Sequence, residues 1–326
     1  MTPDYKVIAA GVNITSQIKD RLLSLIVNDE AGFKSDTVEI TLDDRDNAIE
    51  LPLLGAPLIV FMGYKETSLV PMGVFTADEV VAKGPPDRVT IRGKAANLGG
   101  SIKEQKTRNW DKKTIKDIVG TIAGEHGLEP KVAEALKSFK YEHLDQVDES
   151  DINLLTRIAK EHDAITTVKG QALLFMPKGE GKTVSGILMP PRPITKSGEL
   201  SWSMTLASRG NFKSVKAHWH NKKTGQKETV TAGKGSPVKR LRHVHASKAE
   251  AEKAAKAKLD EFKRGDDTLS ITMPGDPTIA AEGQIVASGF RIGVSGLWSV
   301  TNANHQITSS GFKTTIKTEK PNSRAS

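Results

Sequence analysis

The sequence predicts a mainly β protein with an α insertion, an α+β fold in which antiparallel strands occupy both ends of the chain. Apolar and polar residues alternate near both ends, as in strands with one buried face. Between these ends, apolar residues recur three and four positions apart, which is typical of helices. The predicted units of the 326-residue chain are a first β unit at 1–98, a helical region at 99–200, a second β unit at 201–318 and a flexible polar tail at 319–326.

The first β unit contains the clearest strand patterns. Residues 37–43 and 87–92 alternate, and residues 58–61 form a continuous apolar run that fits a strand covered on both faces. The Gly-Pro-Pro-Asp sequence at 84–87 is typical of a turn between strands. This unit is therefore predicted to be a small β-barrel or a sandwich.

Two helices are predicted in the middle region, which we expect to be helical over residues 101–163. Asp111 is the expected N-cap of the first helix, and Ser150 is that of the second. The apolar residues at helical spacing are Ile115, Ile118, Val119, Ile122 and Ala123 in the first helix, and Leu154, Leu155, Ile158 and Ala159 in the second. A hairpin at 165–176 and a Pro-rich linker at 189–193 complete this region.

The second β unit is predicted to contain an inserted helix. A hairpin at 214–231 comes first, and the Ser-Lys-Ala-Glu sequence at 247–250 forms a capping box that opens an Ala/Lys-rich helix. The narrow apolar face of this helix consists of Ala251, Ala255, Leu259 and Phe262. Strand character returns at 269–318.

A weak internal repeat links the two ends of the chain. The segments 73–77 and 89–92 resemble the segments 296–300 and 314–317, and a glycine precedes an apolar strand in both copies. Recurrence of this pattern at both ends predicts two small antiparallel β-barrels of similar topology that flank the helical region.

Composition excludes several classes of protein. The chain contains no Cys, which excludes disulfide frameworks, thiolate metal sites and cysteine nucleophiles. No apolar run approaches the roughly 18 residues that a membrane span needs. The N-terminus lacks the pattern of a secretory leader. We therefore expect synthesis in a cytoplasm and no membrane insertion.

The positive charge of the chain is local. The net charge is +8, but residues 211–264 hold 15 Lys and Arg against 5 Asp and Glu, which leaves a net charge of −2 for the rest. Such a segment either meets an acidic partner or is a solvated Lys-rich surface. Aromatic residues hardly interleave with these charges, and two of them, Trp219 and Phe262, have different roles, so specific nucleic-acid binding is not indicated.

Four histidines have a spacing that could form a metal site. The cluster consists of His218, His220, His243 and His245. Each His-x-His pair could point from one strand face toward a metal ion. Neither pair contains a carboxylate, and alternate exposed positions on Lys-rich strands explain the spacing equally well. No metal site and no cofactor is predicted.

An acidic cluster surrounds the start of the second predicted helix. The cluster consists of Glu142, Asp148, Glu149 and Asp151. A pair of carboxylates at suitable separation can cleave glycosides. Acidic residues in the first turn of a helix also complement its dipole, and aromatic residues suited to a sugar cleft are scarce. The structural explanation is favoured, and no catalytic residue is predicted.

The segment 146–159 carries the most specific motif of the chain. It is close to the pattern Q-x-x-E-S-D-x-x-F-L-x-R-L-A, with Leu154 in place of the usual Phe. The matching residues are Gln146, Glu149, Ser150, Asp151, Leu155 and Arg157. With the segments 35–44 and 298–312, this motif resembles the phage late control gene D family, the baseplate hub proteins of contractile tails. That family is similar in fold to the hub part of type VI secretion spike proteins.

The resemblance implies a structural hub in a contractile phage tail or a phage-tail-like particle that assembles in a bacterial host. The implied partners are further copies in a homotrimer, a hexameric tail tube, a trimeric central spike and other baseplate proteins. Two similar barrels per chain would give six near-equivalent units. We expect an assembly surface on the basic helix, formed by Lys248, Lys253, Lys256 and Lys263. The rival functions are a cell-envelope-degrading enzyme that uses the acidic cluster and a DNA-binding module that uses residues 234–264.

Overall fold

The computed structural model is dominated by strands, as predicted: 54% of it is strand and 16% is helix. The structure describes residues 1–32, 35–95, 100–169, 172–179, 190–206, 212–222, 224–264 and 267–321.

Three groups of elements follow one another along the chain. The first group is β1 (Pro3–Ala9), β2 (Val12–Asn13), α1 (Thr15–Ile18), β3 (Leu22–Glu30), β4 (Thr37–Asp43), β5 (Pro57–Tyr64), β6 (Val70–Lys83) and β7 (Arg88–Ala95). The middle group is a 3-10 turn (Gly100–Lys103), β8 (Gln105–Thr114), α2 (Ile115–Glu125), β9 (Glu129–Val132), α3 (Glu134–Lys137), β10 (Lys140–Ser150), α4 (Asp151–Glu161), β11 (Ala164–Lys169) and β12 (Ala172–Pro177). The last group is β13 (Arg192–Thr195), β14 (Ser201–Thr205), β15 (Ser214–Asn221), β16 (Gln226–Gly233), β17 (Val238–His245), α5 (Lys248–Arg264), β18 (Thr268–Pro274), β19 (Gln284–Ser288), β20 (Gly296–Thr308) and β21 (Gly311–Glu319).

The strands of the first group and six strands of the last group share one sheet, and the same strand order occurs twice in it. Hydrogen-bonded neighbours run β3-β4-β7-β6-β5-β1 in the first group and β14-β18-β21-β20-β19-β13 in the last. Strands at the same place in the two sheet orders also come in the same succession along the chain. The corresponding pairs are β1 and β13, β3 and β14, β4 and β18, β5 and β19, β6 and β20, and β7 and β21. The outermost pairs differ, because β1 pairs with β5 antiparallel whereas β13 pairs with β19 parallel.

The register of the ladders repeats as well. Gly73 and Gly296 begin the matching stretches with similar positive φ angles of 140° and 132°. Two residues further on, Phe75 and Trp298 are both buried. Both ladders then shift by one residue, between Ala77 and Glu79 in β6 and between Val300 and Asn302 in β20. The predicted correspondence of 73–77 with 296–300 is thus present in the hydrogen-bonded pairs.

The two repeats are joined edge to edge by β3 and β20. Residues 24–30 of β3 pair antiparallel with residues 302–308 of β20, which makes one 13-stranded sheet in the described part of the chain. Ile307 and Phe312 of the second repeat pack into the hydrophobic core of the first. Among the described residues the strands follow an open path and no closed barrel is found, so the two predicted barrels stay a prediction.

The middle group is less helical than predicted. The expectation of helix throughout 101–163 is wrong, because β8 and β10 form a two-stranded antiparallel ladder there. Strand β8 is mostly polar, so its burial pattern leaves little apolar alternation to detect. The N-cap of α2 is Thr114, not Asp111, because the Thr114 and Asp117 side chains form a capping box with each other's backbone. Helix α4 and the β11–β12 hairpin lie where they were predicted.

The predicted linker and insertion also differ in detail. Residues 192–193 of the expected Pro-rich linker belong to β13, which pairs with β19; residue 189 lies outside the described residues. The predicted hairpin at 214–231 is confirmed as β15 and β16. Together with β17 it forms a separate three-stranded sheet, and α5 covers one face of that sheet with Ala251, Ala255 and Leu259. No helix in the described part of the chain is long and apolar enough to cross a membrane.

Gly275 tests the packing between the repeats. Its carbonyl accepts a hydrogen bond from the Tyr64 hydroxyl at 3.0 Å, and an added Cβ would lie 2.2 Å from the Phe312 ring. We expect Gly275→Ala to lower the free energy of unfolding by about 1–3 kcal/mol, as overpacked cores do. The measurement is a urea titration. Gly120→Ala is the matched control: nothing lies within 4 Å of its Cβ position in α2, and its stability should be equal or higher. A Gly275→Ala protein as stable as the wild type would contradict this packing.

Candidate functional site

The signature motif lies where β10 ends and α4 begins. The Ser150 hydroxyl caps α4 by accepting a hydrogen bond from the Asn153 backbone N–H. Leu155 and Ile158 are fully buried in the core of the middle group, as the helical stripe predicts. The motif therefore begins on a strand and continues on the helix that packs beneath it.

Gln146 organises the strand half of the motif. Its side chain is fully buried, and its carbonyl oxygen accepts hydrogen bonds from Arg108 Nε at 2.9 Å and Trp110 Nε1 at 3.2 Å. Its amide donates to the Glu149 carbonyl at 2.8 Å and to Asp151 Oδ1 at 2.9 Å. The ladder shifts between Gln146 and Glu149, and this bulge lets one glutamine side chain reach both residues.

Asp151 is the charged centre of the site and is fully buried. Lys106 Nζ lies 2.7 Å from its Oδ2, and Arg108 lies 2.6 Å from its Oδ1. His126 Nε2 is 2.9 Å from Oδ2. Glu125 accepts from the same two cations, at 2.7 Å and 2.5 Å. Two carboxylates and two cations thus form a locally neutral network, which is the arrangement a buried charge requires.

The balance of effects on Asp151 favours its ionised form. Burial alone would raise the pKa of this carboxyl, but hydrogen bonds from Lys106, Gln146 and His126 outweigh burial and hold the pKa below its usual value. The same cations, acting against burial, lower the pKa of Glu125. A catalytic acid of a glycosidase needs a raised pKa, so Asp151 does not fit that role.

Three candidate metal ligands also meet at Asp151. Among the described residues, Glu125, His126 and Asp151 bring three candidate ligand atoms within 4.8 Å of one another. The carboxylate oxygens already accept hydrogen bonds from Lys106 and Arg108. A metal ion would have to displace both cations, so the donor set fits an ion-pair network better than a metal site.

Arg157 fastens the helix half of the motif to the strand half. Its guanidinium contacts both carboxylate oxygens of Glu149, at 3.1 Å and 2.6 Å, and donates to the Asp145 carbonyl at 2.8 Å. Hydrogen bonding to Glu149 raises the pKa of Arg157. The half-buried guanidinium is thus paired with a carboxylate and a carbonyl, and its two-point contact with Glu149 is of the stronger kind of ion pair.

The acidic cluster does not converge on a shared substrate position. Asp151 and Glu149 bind Lys and Arg side chains, as described above. Asp148 is exposed and accepts a hydrogen bond from Thr107. Glu142 is exposed and lies 3.6 Å from Lys140. Each carboxylate therefore has its own local polar partner.

The four histidines lie on the inserted sheet. His218 Nδ1 contacts the Thr229 hydroxyl at 2.9 Å. Burial, then Lys227 and Arg240, lower the pKa of His218. His245 is buried, and burial lowers its pKa to about 4. In the part of the chain that the structure describes, these histidines join no group of three or more candidate metal ligands.

The lysines of the basic helix α5 differ in exposure, and one of them contacts another part of the chain. Lys248 and Lys256 are exposed, as expected for an assembly surface. Lys253 is not free to project outward: its Nζ lies 4.0 Å from the centre of the Phe139 ring in a cation–π contact with the middle group. The side chain of Lys263 lies outside the described residues. Lys253 is half-buried, and its part in the assembly surface stays a prediction.

Sequence reasoning missed five members of the network. These residues are Lys106, Arg108, Trp110, Glu125 and His126. Three of them occupy alternate positions of β8, so their side chains share one face. That spacing was a usable signal, but it is hidden when 101–163 is assigned to helix.

The chain matches a family described as phage tail baseplate hub (GPD) over residues 35–311, which is most of its length. The chain belongs to the phage tail baseplate hub family. A relative agrees: the probable baseplate hub protein of Escherichia phage P2 is 34% identical over 361 residues, which cover 98% of this chain and 93% of the relative. This chain is accordingly a baseplate hub protein of a phage tail.

Solved structures agree with this assignment at the level of the fold. The tail protein from Neisseria meningitidis MC58 has a TM-score of 0.73 at 13% identity and covers 98% of this chain, with 97% of its own length matched. A component of the E. coli type VI secretion system, described as similar in structure to bacteriophage T4 tail proteins gp27 and gp5, has a TM-score of 0.57 at 12% identity. That match covers 93% of this hub chain and 74% of the other chain.

Asp151→Asn tests the buried network of the hub. In the folded chain the pKa of Asp151 is lowered, so the ionised carboxylate stabilises the fold above the unfolded value of about 3.9 and this contribution disappears as pH falls through the folded pKa. We expect the variant to lose about 2–3 kcal/mol of unfolding free energy at neutral pH. The difference from wild type should shrink on acidification, as followed by urea titrations across pH. Asp148→Asn, an exposed neighbour, should match wild type. A constant difference at every pH would contradict the assignment.

Proposed function

We propose that this hub is a structural, non-enzymatic homotrimer that joins a hexameric tail tube to a trimeric central spike within the baseplate. The observation that carries the proposal is the repeated strand order, because one chain then holds two similar units and three chains hold six. In the assembled hub each repeat forms one barrel-like unit. A ring of six similar units can match a hexamer on one face, while features present once per chain can match a trimer on the other.

The absence of catalysis forms part of the proposal. It is supported by the relatives, which are hub proteins, and by the low pKa and paired state of Asp151. The rival is a peptidoglycan hydrolase that uses the acidic cluster. A cleared zone produced by the purified chain on a peptidoglycan zymogram, and lost in Glu149→Gln, would favour that rival.

The inserted sheet and its helix form a basic surface that supports assembly. On the sheet face away from α5, Lys216, Lys227 and Arg240 surround His218. Lys248 and Lys256 add exposed charge on the helix. This surface suits an acidic partner in the baseplate, with assembly in the bacterial cytoplasm before release of the particle. Nucleic acid remains the rival partner, and its test is binding of DNA over a range of salt concentrations.

The trimer is tested by solution mass. We expect light scattering coupled to gel filtration to give three times the mass of one chain over a range of concentrations, and a mass larger by that of one spike trimer once spike protein is added. A chain that stays monomeric in all these conditions would overturn the proposal.

Charge reversal tests the basic surface. Lys248→Glu with Lys256→Glu should leave the hub folded and slow its joining to the tube or spike protein, because charges at an interface rim act mainly on the rate of encounter. The difference from wild type should fall as salt rises, since the Debye length is about 8 Å at physiological strength. Lys113→Glu with Lys116→Glu, at exposed positions of the middle group, is the control. Equal assembly rates for both variants and wild type would show that this surface is merely solvated.

A further inference from the structure

The junction between the two repeats has an equivalent elsewhere in the chain, and its two strands are not paired with each other in the described residues. Inside the chain, residues 302–308 of β20 pair with residues 24–30 of β3. By the repeated register, β6 corresponds to β20 and β14 corresponds to β3. The chain therefore holds a second pair of strands, β6 and β14, equivalent to those that form the junction. These two strands are far apart, because they lie at opposite ends of the path β14-β18-β21-β20-β3-β4-β7-β6.

Both equivalent strands have a free edge in the described part of the chain. Strand β6 pairs with β5 through residues 70–76, and beyond that point residues 79–83 pair only with β7. Strand β14 pairs with β18 on one side. Unpaired strand edges present backbone donors and acceptors that a further strand can satisfy.

Equivalent positions of β20 and β6 differ in burial, and the residues of β6, which within the described ranges lacks the partner strand that β20 has, are the more exposed. In the internal junction, Ala303 and His305 of β20 are fully buried. Their equivalents are Val80, which is half-buried, and Ala82, which is exposed. An apolar side chain would gain from burial at these positions.

The same difference holds on the other strand. Leu25 and Val27 of β3 are fully buried, whereas their equivalents on β14, Trp202 and Met204, are half-buried. Leu206, the next residue on that face, is 70% exposed. Large apolar side chains at an unpaired strand edge mark a surface that association covers.

We propose that copies of the chain associate head to tail by pairing residues 79–83 of β6 in one protomer with β14 of the next, antiparallel and in the register of the internal junction. In this register Val80 lies opposite Leu206 of the neighbour, Val81 opposite Thr205 and Ala82 opposite Met204. The interface repeats the internal junction, so a closed ring of three chains contains six equivalent junctions. The inference rests on the proposed trimer and specifies the surface that forms it.

Engineered disulfides test this register directly, since the chain has no cysteine of its own. Opposed residues of an antiparallel pair have Cα atoms about 4.5–5.5 Å apart, which lies within the range for a disulfide. We expect the trimer of the Val81→Cys/Thr205→Cys variant, once oxidised, to yield covalent dimers and trimers on a denaturing gel without reductant. The control, Val81→Cys/Ser201→Cys, displaces one cysteine by four residues along β14, or about 13 Å, and should yield none.

The outcomes separate this inference from the proposed function. A trimer by light scattering that fails to cross-link, or that cross-links equally in the control, overturns the strand pairing and leaves the trimer standing. A monomer in every condition overturns both. A second variant uses a position that is exposed in the isolated chain: Ala82→Glu should keep the native circular dichroism spectrum and lose the trimer, whereas Ala82→Ser should keep both. A folded, trimeric Ala82→Glu protein would also overturn the pairing.

Discussion

The pairing of β3 with β20 is the interaction on which the rest of the structure depends. It joins strands from opposite ends of the sequence, so the sheet forms only when the whole chain has folded back on itself. Side chains strengthen it: the Asn302 amide donates to Asn28 at 2.8 Å, and Ile307 enters the core of the first repeat. Every element between these strands is thereby held in a large closed loop.

The middle group is tied to this junction by one half-buried charge, Lys169. Lys169 of β11 reaches Asp29 at 2.5 Å and Asp36 at 2.8 Å, and the second oxygen of Asp29 accepts the Ala281 backbone N–H at 2.8 Å. Its two carboxylate partners outweigh burial and raise the pKa of Lys169, so the lysine stays charged. One side chain thus connects both repeats and the middle group. Inside the middle group, the Asp151 network likewise connects separate elements, because its hydrogen bonds and ion pairs link α4 to β8 and β10.

Strong local patterns in the sequence were sufficient to predict much of this architecture. The alternation in 37–43 and 87–92, the α4 stripe and the glycines at 73 and 296 led to the right elements and to the repeat, because each follows from local burial. The β8–β10 ladder could not be obtained in this way: β8 is polar on most of its length, and its stability comes from a partner strand more than 25 residues away. The candidate site was likewise predictable only where its residues stand in a local pattern. Gln146 and Asp151 stand in a recognisable motif, whereas Lys106 and Arg108 acquire their roles only through the ladder that places them opposite it.

The two repeats share a strand order but differ in what is inserted between their strands. In the first repeat the connection from β3 to β4 is short, whereas the equivalent connection from β14 to β18 contains β15, β16, β17 and α5. The middle group likewise occurs once, between the repeats. In the proposed trimer, surfaces common to both repeats are therefore presented six times and the inserted elements three times. A symmetry mismatch between a hexamer and a trimer can be bridged by this arrangement without any conformational change, because the two symmetries are built from different parts of one chain. In the proposed trimer the basic surface, which lies on an insertion, is presented three times around the axis.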